Sequence, residues 1–359
     1  MQSQRREQIA EVLRRRLEEL RARDGTGLHA PRQPPAAPSM DPMEVRRLAA
    51  RWIAAHRGKR LADALGVRPD SAEDLLVVER TAPLRVARPS AQEVRDALAS
   101  CLWLLPGVRE ATACRLAGQG QSRIEHLCDH PRHGRDASRV RRLMDRADAA
   151  GLMALISERA GRGHLHALRL SAFFDPTDFV FLDIETMGLF GGSPVILVGL
   201  AFLGGDGVRV RQLVAARPEA EERLIAETWD TLDRHRALVT FNGRAFDYPY
   251  LCQRAAYYGR FLGEEPVHFD LLPHARRVWR GRFVDCRLAT LAREVLGLTR
   301  EEDIPGALVP AFYQSYLEDP AGRVGLLAAI AAHNRDDMIQ MVRLFEALLH
   351  QSEDPGPGR

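Results

Sequence analysis

The sequence lacks the features that would place the protein in a membrane or outside the cell. It has no apolar run near the roughly 20 residues of a membrane-spanning helix, and its basic N-terminus has no apolar signal-peptide core. Its five cysteines are an odd number without a CxxC pair, which gives no zinc signature and is typical of reduced thiols. These absences predict a cytoplasmic, globular protein without a membrane partner.

Lysine is nearly absent too, since Lys59 is the only one and arginine carries almost all of the positive charge. Residues 1–170 hold 31 Lys and Arg against 21 Asp and Glu, a formal charge of +10. Residues 171–359 hold 20 against 27, a formal charge of −7. Codon bias explains the preference for arginine but not the division. Such asymmetry is expected when one part of a chain binds phosphates and another collects metal-binding acids.

The chain of 359 residues is long enough for two domains, each with its own core. Residues 1–42 are predicted to form a charged helix, either a binding arm or a solvated leader, followed by a proline-rich linker. A mainly helical domain is predicted over 43–170. Strand patterns then become frequent, so a second domain is expected over 171–351, with a short tail at 352–359.

A helical hairpin is predicted within residues 91–131. A helix ending near Trp103 meets a tight turn at 105–108, and two more helices follow, the last one over 124–128. The stretch resembles the helix-hairpin-helix, a non-specific nucleic-acid-binding module whose backbone N–H groups face a phosphate. A purely structural hairpin is the alternative interpretation.

The resemblance implies that nucleic acid contacts Gly107, Val108 and Arg109. The module usually has a second glycine where this chain has Arg109, which either blocks close approach or adds a guanidinium contact. A helical stretch after the hairpin carries five arginines, which form either a phosphate-facing surface or an ordinary solvated face: Arg135, Arg139, Arg141, Arg142 and Arg146.

Two acids follow an apolar strand in the second half of the chain. Asp183 and Glu185 stand at i, i+2 and therefore share one strand face, while Ile184 points to the other. Carboxylates about 6–7 Å apart on one face repel each other and are costly to bury. The apolar flanks favour a bound cation over a solvated edge strand, and hard oxygen ligands suit Mg²⁺ or Mn²⁺.

The order of elements around these acids predicts the fold. Three strands in hairpin spacing are followed by a helix and another strand: 179–185, 195–203, 208–214 and 237–242. We therefore expect an α/β fold of the ribonuclease H type, a mixed sheet flanked by helices and preceded by the mainly helical domain. The last strand ends at Asn242, and Asp247 follows at the head of a helix, where ligands of α/β folds gather.

The C-terminal helix, residues 331–349, offers the last acid. Helical phase places Asp337 on the apolar face and Asp336 on the solvent side. His333 lies one turn before Asp337, where it is either a core residue or a catalytic one. Four carboxylates brought together would hold two cations for phosphodiester hydrolysis, and His333 would take the proton of the attacking water.

Three stretches in this order, DIET, NGRAFD and HNRDD, resemble the motifs of the DEDD 3′–5′ exonuclease superfamily. More narrowly, residues 175–350 resemble the YprB-like bacterial ribonuclease H-like proteins. The resemblance implies a 3′–5′ exonuclease acting on DNA or RNA with two Mg²⁺ or Mn²⁺. It implies that His333 is the general base and that four acids are metal ligands: Asp183, Glu185, Asp247 and Asp337. Asn242 is a further candidate for contact with nucleic acid.

One spacing departs from the superfamily pattern. Its histidine-type members place histidine and aspartate at i, i+5, whereas His333 and Asp337 stand at i, i+4, as in the tyrosine-type members. The acid Asp270 is expected to cap the helix that begins at Leu271. Two alternative functions stay open: a non-catalytic nucleic-acid-binding protein that keeps the fold, and a nucleotidyl- or strand-transfer enzyme.

Overall fold

The computed structural model describes residues 41–67, 74–188, 192–261, 263–300 and 304–351. The chain divides into two compact units, Met1–Arg46 and Arg47–Arg359. In the first unit the described residues are the beginning of helix α1 (Pro42–Ala55). Nearly all of the predicted N-terminal helix and linker, and the predicted tail, lie outside the described residues.

The first half of the second unit is mainly helical. After α1 it contains α2 (Leu61–Leu65), β1 (Leu75–Ala82), α3 (Ala91–Ala99), α4 (Glu110–Gly118), α5 (Gly134–Asp145), α6 (Ala149–Ala160) and α7 (Leu165–Arg169). The predicted strand at 75–83 is thus confirmed. Buried side chains of α3, α4, α5, α6 and α7 belong to the same apolar cluster as one face of the sheet described below.

The predicted helical hairpin differs from the observed one in two places. Helix α3 ends at Ala99, and Trp103 lies in a separate 3₁₀ turn, Leu102–Leu104. The turn stops at Leu105 (φ −84°, ψ 136°) because Pro106 disfavours a helical conformation in the residue before it. The predicted helix at 124–128 is likewise a 3₁₀ turn, Ile124–Leu127.

Six strands form one mixed sheet in the order β1-β4-β3-β2-β5-β6. The five later strands are β2 (Phe179–Thr186), β3 (Val195–Gly204), β4 (Gly207–Ala215), β5 (Ala237–Thr240) and β6 (Val267–Asp270). Neighbours from β1 to β2 pair antiparallel, and β2, β5 and β6 pair parallel. The predicted hairpin strands and the parallel strand are confirmed. The sequence did not predict that β1 joins this sheet, nor did it predict β6.

Helices cover both faces of the sheet: α8 (Glu221–Leu232), α9 (Asp247–Tyr257), α10 (Leu271–Trp279), α11 (Leu288–Leu296), α12 (Val309–Glu318) and α13 (Val324–Leu349). Alternation along β2 divides its side chains between the two sides. Phe179 and Phe181 join the cluster that includes α13. Val180 and Leu182 join the cluster that includes α8 and α9. Residues 183 and 185 point to the same side of β2 as Phe181, so the strand presents them to α13.

Candidate active site

Strand β2 carries the first two acids beneath helix α13. Asp183 and Glu185 share the strand face of Phe181, whose ring centre lies 5.6 Å from that of Phe345 on α13. Glu185 is only 9% exposed. The pairing of β2 with β3 shifts register just after Glu185, a kind of irregularity that is common beside active sites.

Helix α13 supplies the groups that face Glu185. His333 Nε2 lies 3.3 Å from Asp337 Oδ2 and 3.8 Å from Glu185 Oε1. One candidate ligand atom from each of these three residues lies within 4.8 Å of the others. Asp336 instead pairs with Arg335, at 2.7 Å between Oδ1 and Nη2. The structure therefore places Asp337, rather than Asp336, beside the acids of β2.

The fourth acid, Asp247, is the first residue of α9 and is 6% exposed. Its Oδ1 accepts a hydrogen bond of 3.2 Å from the backbone N–H of Ile184, which lies between the two acids of β2. This contact fixes the start of α9 against the strand. The structure thus brings together all five residues predicted to hold metal or act in catalysis.

Asp270 holds the turn that leads to Asp247. Its carboxylate caps α10 by accepting from Leu272 N at 3.1 Å, as the sequence predicted. It also accepts from Asn242 N at 2.7 Å and from Arg244 N at 3.2 Å. Asn242 has a left-handed backbone (φ 67°), a conformation that asparagine adopts more readily than most residues. One buried carboxylate therefore ties the end of β6 to the turn after β5.

The acids perturb one another. The pKa of Asp183 is raised well above its usual value by burial, followed by the charges of Asp247, Asp337 and Glu185. Burial is also the main cause that raises the pKa of Asp247 to about 7, against the hydrogen bond from Ile184 N that lowers it. Both shifts show that ionised carboxylates at this site are destabilised by desolvation and like charge.

An arginine that the sequence analysis missed lies among these groups. Arg300 donates through Nη2 to Asp337 Oδ1 and to Gln340 Oε1. Its Nη1 lies 3.3 Å from His333 Nδ1. The side chains of Arg300 and Asp337 are 8% and 16% exposed. The guanidinium therefore supplies positive charge to the acid cluster.

The arginine also decides how His333 is protonated. A guanidinium can only donate, so His333 Nδ1 is the acceptor, and the neutral ring carries its proton on Nε2. That proton faces Asp337 Oδ2 and Glu185 Oε1. Both ring nitrogens are thus engaged while Arg300 holds this position.

Asn334 is the second residue that the sequence analysis missed. Its Nδ2 donates a hydrogen bond of 2.8 Å to Asp183 Oδ2. It stands in the HNRDD stretch three residues before Asp337, so helical phase could have placed both on one side of α13. No pattern of this kind marks Arg300, which follows α11 outside the three motif stretches.

The donor set suits a hard divalent cation. Carboxylate oxygens are the ligands that Mg²⁺ and Mn²⁺ prefer. Asp183 and Asp247, whose carboxylates have raised pKa values, would be relieved of repulsion by a cation. Glu185, His333 and Asp337 are grouped closely enough to share one. The residues present therefore fit a divalent metal.

The residues predicted to contact nucleic acid lie in two separate turns. Gly107 has φ 74° and is exposed, and Arg109 is exposed at the start of α4. The side chain of Val108 is buried, and its N–H donates to Leu105 O at 3.2 Å within the turn. Asn242 lies at the other turn, after β5, and its N–H is likewise engaged, with Asp270.

None of the helices in the described residues is long and apolar enough to cross a membrane.

Parts of the chain are similar to known proteins. Residues 180–349 match the family model of the RNase_H superfamily. The uncharacterized protein YprB of Bacillus subtilis (strain 168) is 34% identical over 184 residues, which are 50% of this chain and 43% of that protein. The chain therefore spans less than half the length of this relative. The family B DNA polymerase from the hyperthermophilic archaeon Pyrobaculum calidifontis has a TM-score of 0.36 and 19% identity, over 48% of this chain and 27% of the polymerase.

Proposed function

Because residues 180–349 match the family model of the RNase_H superfamily, we propose that this protein is a metal-dependent nuclease, a 3′–5′ exonuclease that hydrolyses phosphodiester bonds of DNA or RNA. The observation that carries the proposal is the convergence of four carboxylates from β2, α9 and α13 on one site. Its polarity rests on the resemblance of the three motif stretches to the DEDD exonucleases.

The proposed metal ligands are Asp183, Glu185, Asp247 and Asp337, holding two Mg²⁺ or Mn²⁺. When bound, such a pair of cations activates a water and stabilises the leaving oxygen. Two of the proposed ligands lie on one strand and one on each of two helices packed against it, so their backbone positions would need little rearrangement at the moment of reaction.

His333 is the proposed acceptor of the proton of the attacking water, at Nε2. In the described arrangement this nitrogen already carries the ring proton, because Arg300 donates to Nδ1. Arg300 must therefore leave His333 Nδ1 before His333 can act as a base at Nε2. Once Arg300 has left Nδ1, the ring proton can reside there, and Nε2 becomes an acceptor.

Residues 43–170 are proposed to hold the nucleic acid. Gly107 and Arg109 lie at an exposed turn that begins a helix, which suits a phosphate contact. All five arginines of the stretch after the hairpin are exposed, and Arg135, Arg139 and Arg142 line a cavity of 500 Å³ together with Asp136. Backbone contacts of this kind are independent of sequence and weaken with salt.

The test is a substrate panel for the full chain. Single- and double-stranded DNA and RNA, labelled at the 5′ or the 3′ end, are incubated with Mg²⁺, Mn²⁺ or a chelator. We expect 5′-labelled strands to shorten stepwise and 3′ labels to leave as mononucleotides, with a divalent cation only. Asp183→Asn should abolish the reaction, and the matched change Asp336→Asn should leave it intact.

Three other results would contradict parts of the proposal. Salt-sensitive binding without turnover in either cation would identify a binding protein. Release of mononucleotides from the 5′ end would reverse the polarity. New phosphodiester bonds in the products would indicate transfer rather than hydrolysis.

A further inference from the structure

One row of residues crosses the sheet beneath α13. Asp183 on β2 is directly opposite Gly199 on β3, and Gly199 is directly opposite Gln212 on β4. Opposed residues of antiparallel strands point to the same face. Neighbouring strands lie about 4.8 Å apart. Asp183 and Gln212 are therefore separated by a strand position that has no side chain.

Asn334 of α13 fills this gap and is fully buried, at 0% exposure. A Cβ atom at position 199 would lie 2.2 Å from Asn334 Oδ1 and 2.9 Å from its Cγ. Any other residue at position 199 would therefore collide with the amide. Gly199 is needed here for the close approach of Asn334 to the sheet.

The hydrogen bonds through Asn334 run in one direction. Gln212 Nε2 donates to Ala331 O at 2.7 Å and to Asn334 Oδ1 at 2.9 Å. A backbone carbonyl only accepts, so Gln212 must present its NH₂ group to α13. Asn334 then meets Gln212 with its oxygen, which leaves its Nδ2 to donate to Asp183 Oδ2 at 2.8 Å. The carbonyl of Ala331 thus fixes which end of the Asn334 amide faces the acid.

We propose that Asn334 is a positioning residue for Asp183, and that Gln212 fixes the orientation of its amide. The inference rests on the proposed function, in which Asp183 holds a divalent cation. A donor on Oδ2 fixes the plane of the carboxylate while its other oxygen can bind the cation. Packing alone would need the volume of Asn334 but not a donor aimed at the acid. Partners that orient a metal ligand typically contribute 10- to 100-fold to metal affinity.

The test is the affinity of the full chain for Mn²⁺, measured by calorimetry and by the electron paramagnetic resonance of free Mn²⁺. Asn334→Leu keeps approximate volume but removes the donor, and we expect binding weaker by about 10- to 100-fold. Gln212→Leu leaves Asn334 in place but lets its amide turn, and we expect a smaller loss. If Asn334→Leu does not fold, Gln212→Leu decides, and unchanged affinity in that variant overturns the proposal.

A buried hydrogen bond elsewhere provides the control. Thr228 on α8 is fully buried and donates to Leu224 O at 2.8 Å. Thr228→Val should lower the stability without changing Mn²⁺ affinity. If folded Asn334→Leu loses stability but binds Mn²⁺ as the unchanged protein does, its role is only structural and the inference is wrong. If the unchanged protein binds no Mn²⁺, it is the proposed function that fails.

Discussion

The acid cluster should give the metal-free protein a contribution to stability that is lost as pH rises. Burial raises the pKa of Asp247 from 3.8 to about 7 in the folded state. A group whose folded pKa is raised contributes stability below its unfolded pKa, and this contribution is lost as pH rises through the folded pKa. The pH window over which Asp247 loses this contribution therefore runs from about pH 4 to about pH 7. The shift of about three pKa units corresponds to about 4 kcal/mol.

The assay is urea unfolding in the presence of a chelator at several pH values across this window, monitored by circular dichroism. Asp247→Asn keeps an oxygen that can accept from Ile184 N, but it removes the titrating charge. We expect the stability of this variant, relative to that of the unchanged protein, to increase as pH rises across the window. Mn²⁺ should restore stability to the unchanged protein most strongly above the window, where the acids are ionised.

The matched control for this change is Asp336→Asn, since Asp336 pairs with Arg335 away from the cluster. This variant should keep the pH slope of the unchanged protein. Burial lowers the pKa of His274 to about 4 and that of His268 well below its usual value. These histidines add stability as pH rises through the same window, so the test is the difference between the two slopes. The reasoning would be refuted if Asp247→Asn had the same slope as the unchanged protein.

Two further substitutions test the neighbours of the cluster. Arg300→Gln removes the guanidinium that neutralises Asp337, so we expect the metal-free protein to lose about 3–5 kcal/mol of stability. Mn²⁺ should then raise the melting temperature of this variant more than that of the unchanged protein, and equal shifts would contradict this. Gly199→Ala forces a Cβ against Asn334, which should cost about 1–3 kcal/mol and weaken Mn²⁺ binding. The control Gly192→Ala meets no atom within 4 Å and should change neither quantity.

The periodic parts of the fold were predictable because their geometry is local. Strand alternation assigned Asp183 and Glu185 to one face of β2, and helical phase distinguished Asp337 from Asp336 on α13. The hairpin spacing gave the antiparallel core of the sheet. Each of these predictions needs only a few neighbouring residues and a fixed repeat, so the sequence contains the whole argument.

Partners far apart in the chain were not predictable in the same way. β1 pairs with β4 across more than 120 residues, and β6 has only four residues, too few to show a period. Nothing local marks Arg300, because its role depends on where the chain after α11 returns to α13. Secondary structure at Trp103 was also predicted wrongly, since α3 ends at Ala99 and Trp103 lies in a separate 3₁₀ turn.

The sequence by itself determined the acids, their strand and helix faces, and the order of elements that places them in a ribonuclease H-like sheet, because these follow from short-range periodicity. The tertiary structure alone decided that Asn334 reaches Asp183 across 151 residues and that Arg300 neutralises Asp337 and engages His333. Such contacts depend on the packing of complete helices against the sheet, and packing is a property of the assembled core rather than of any one segment.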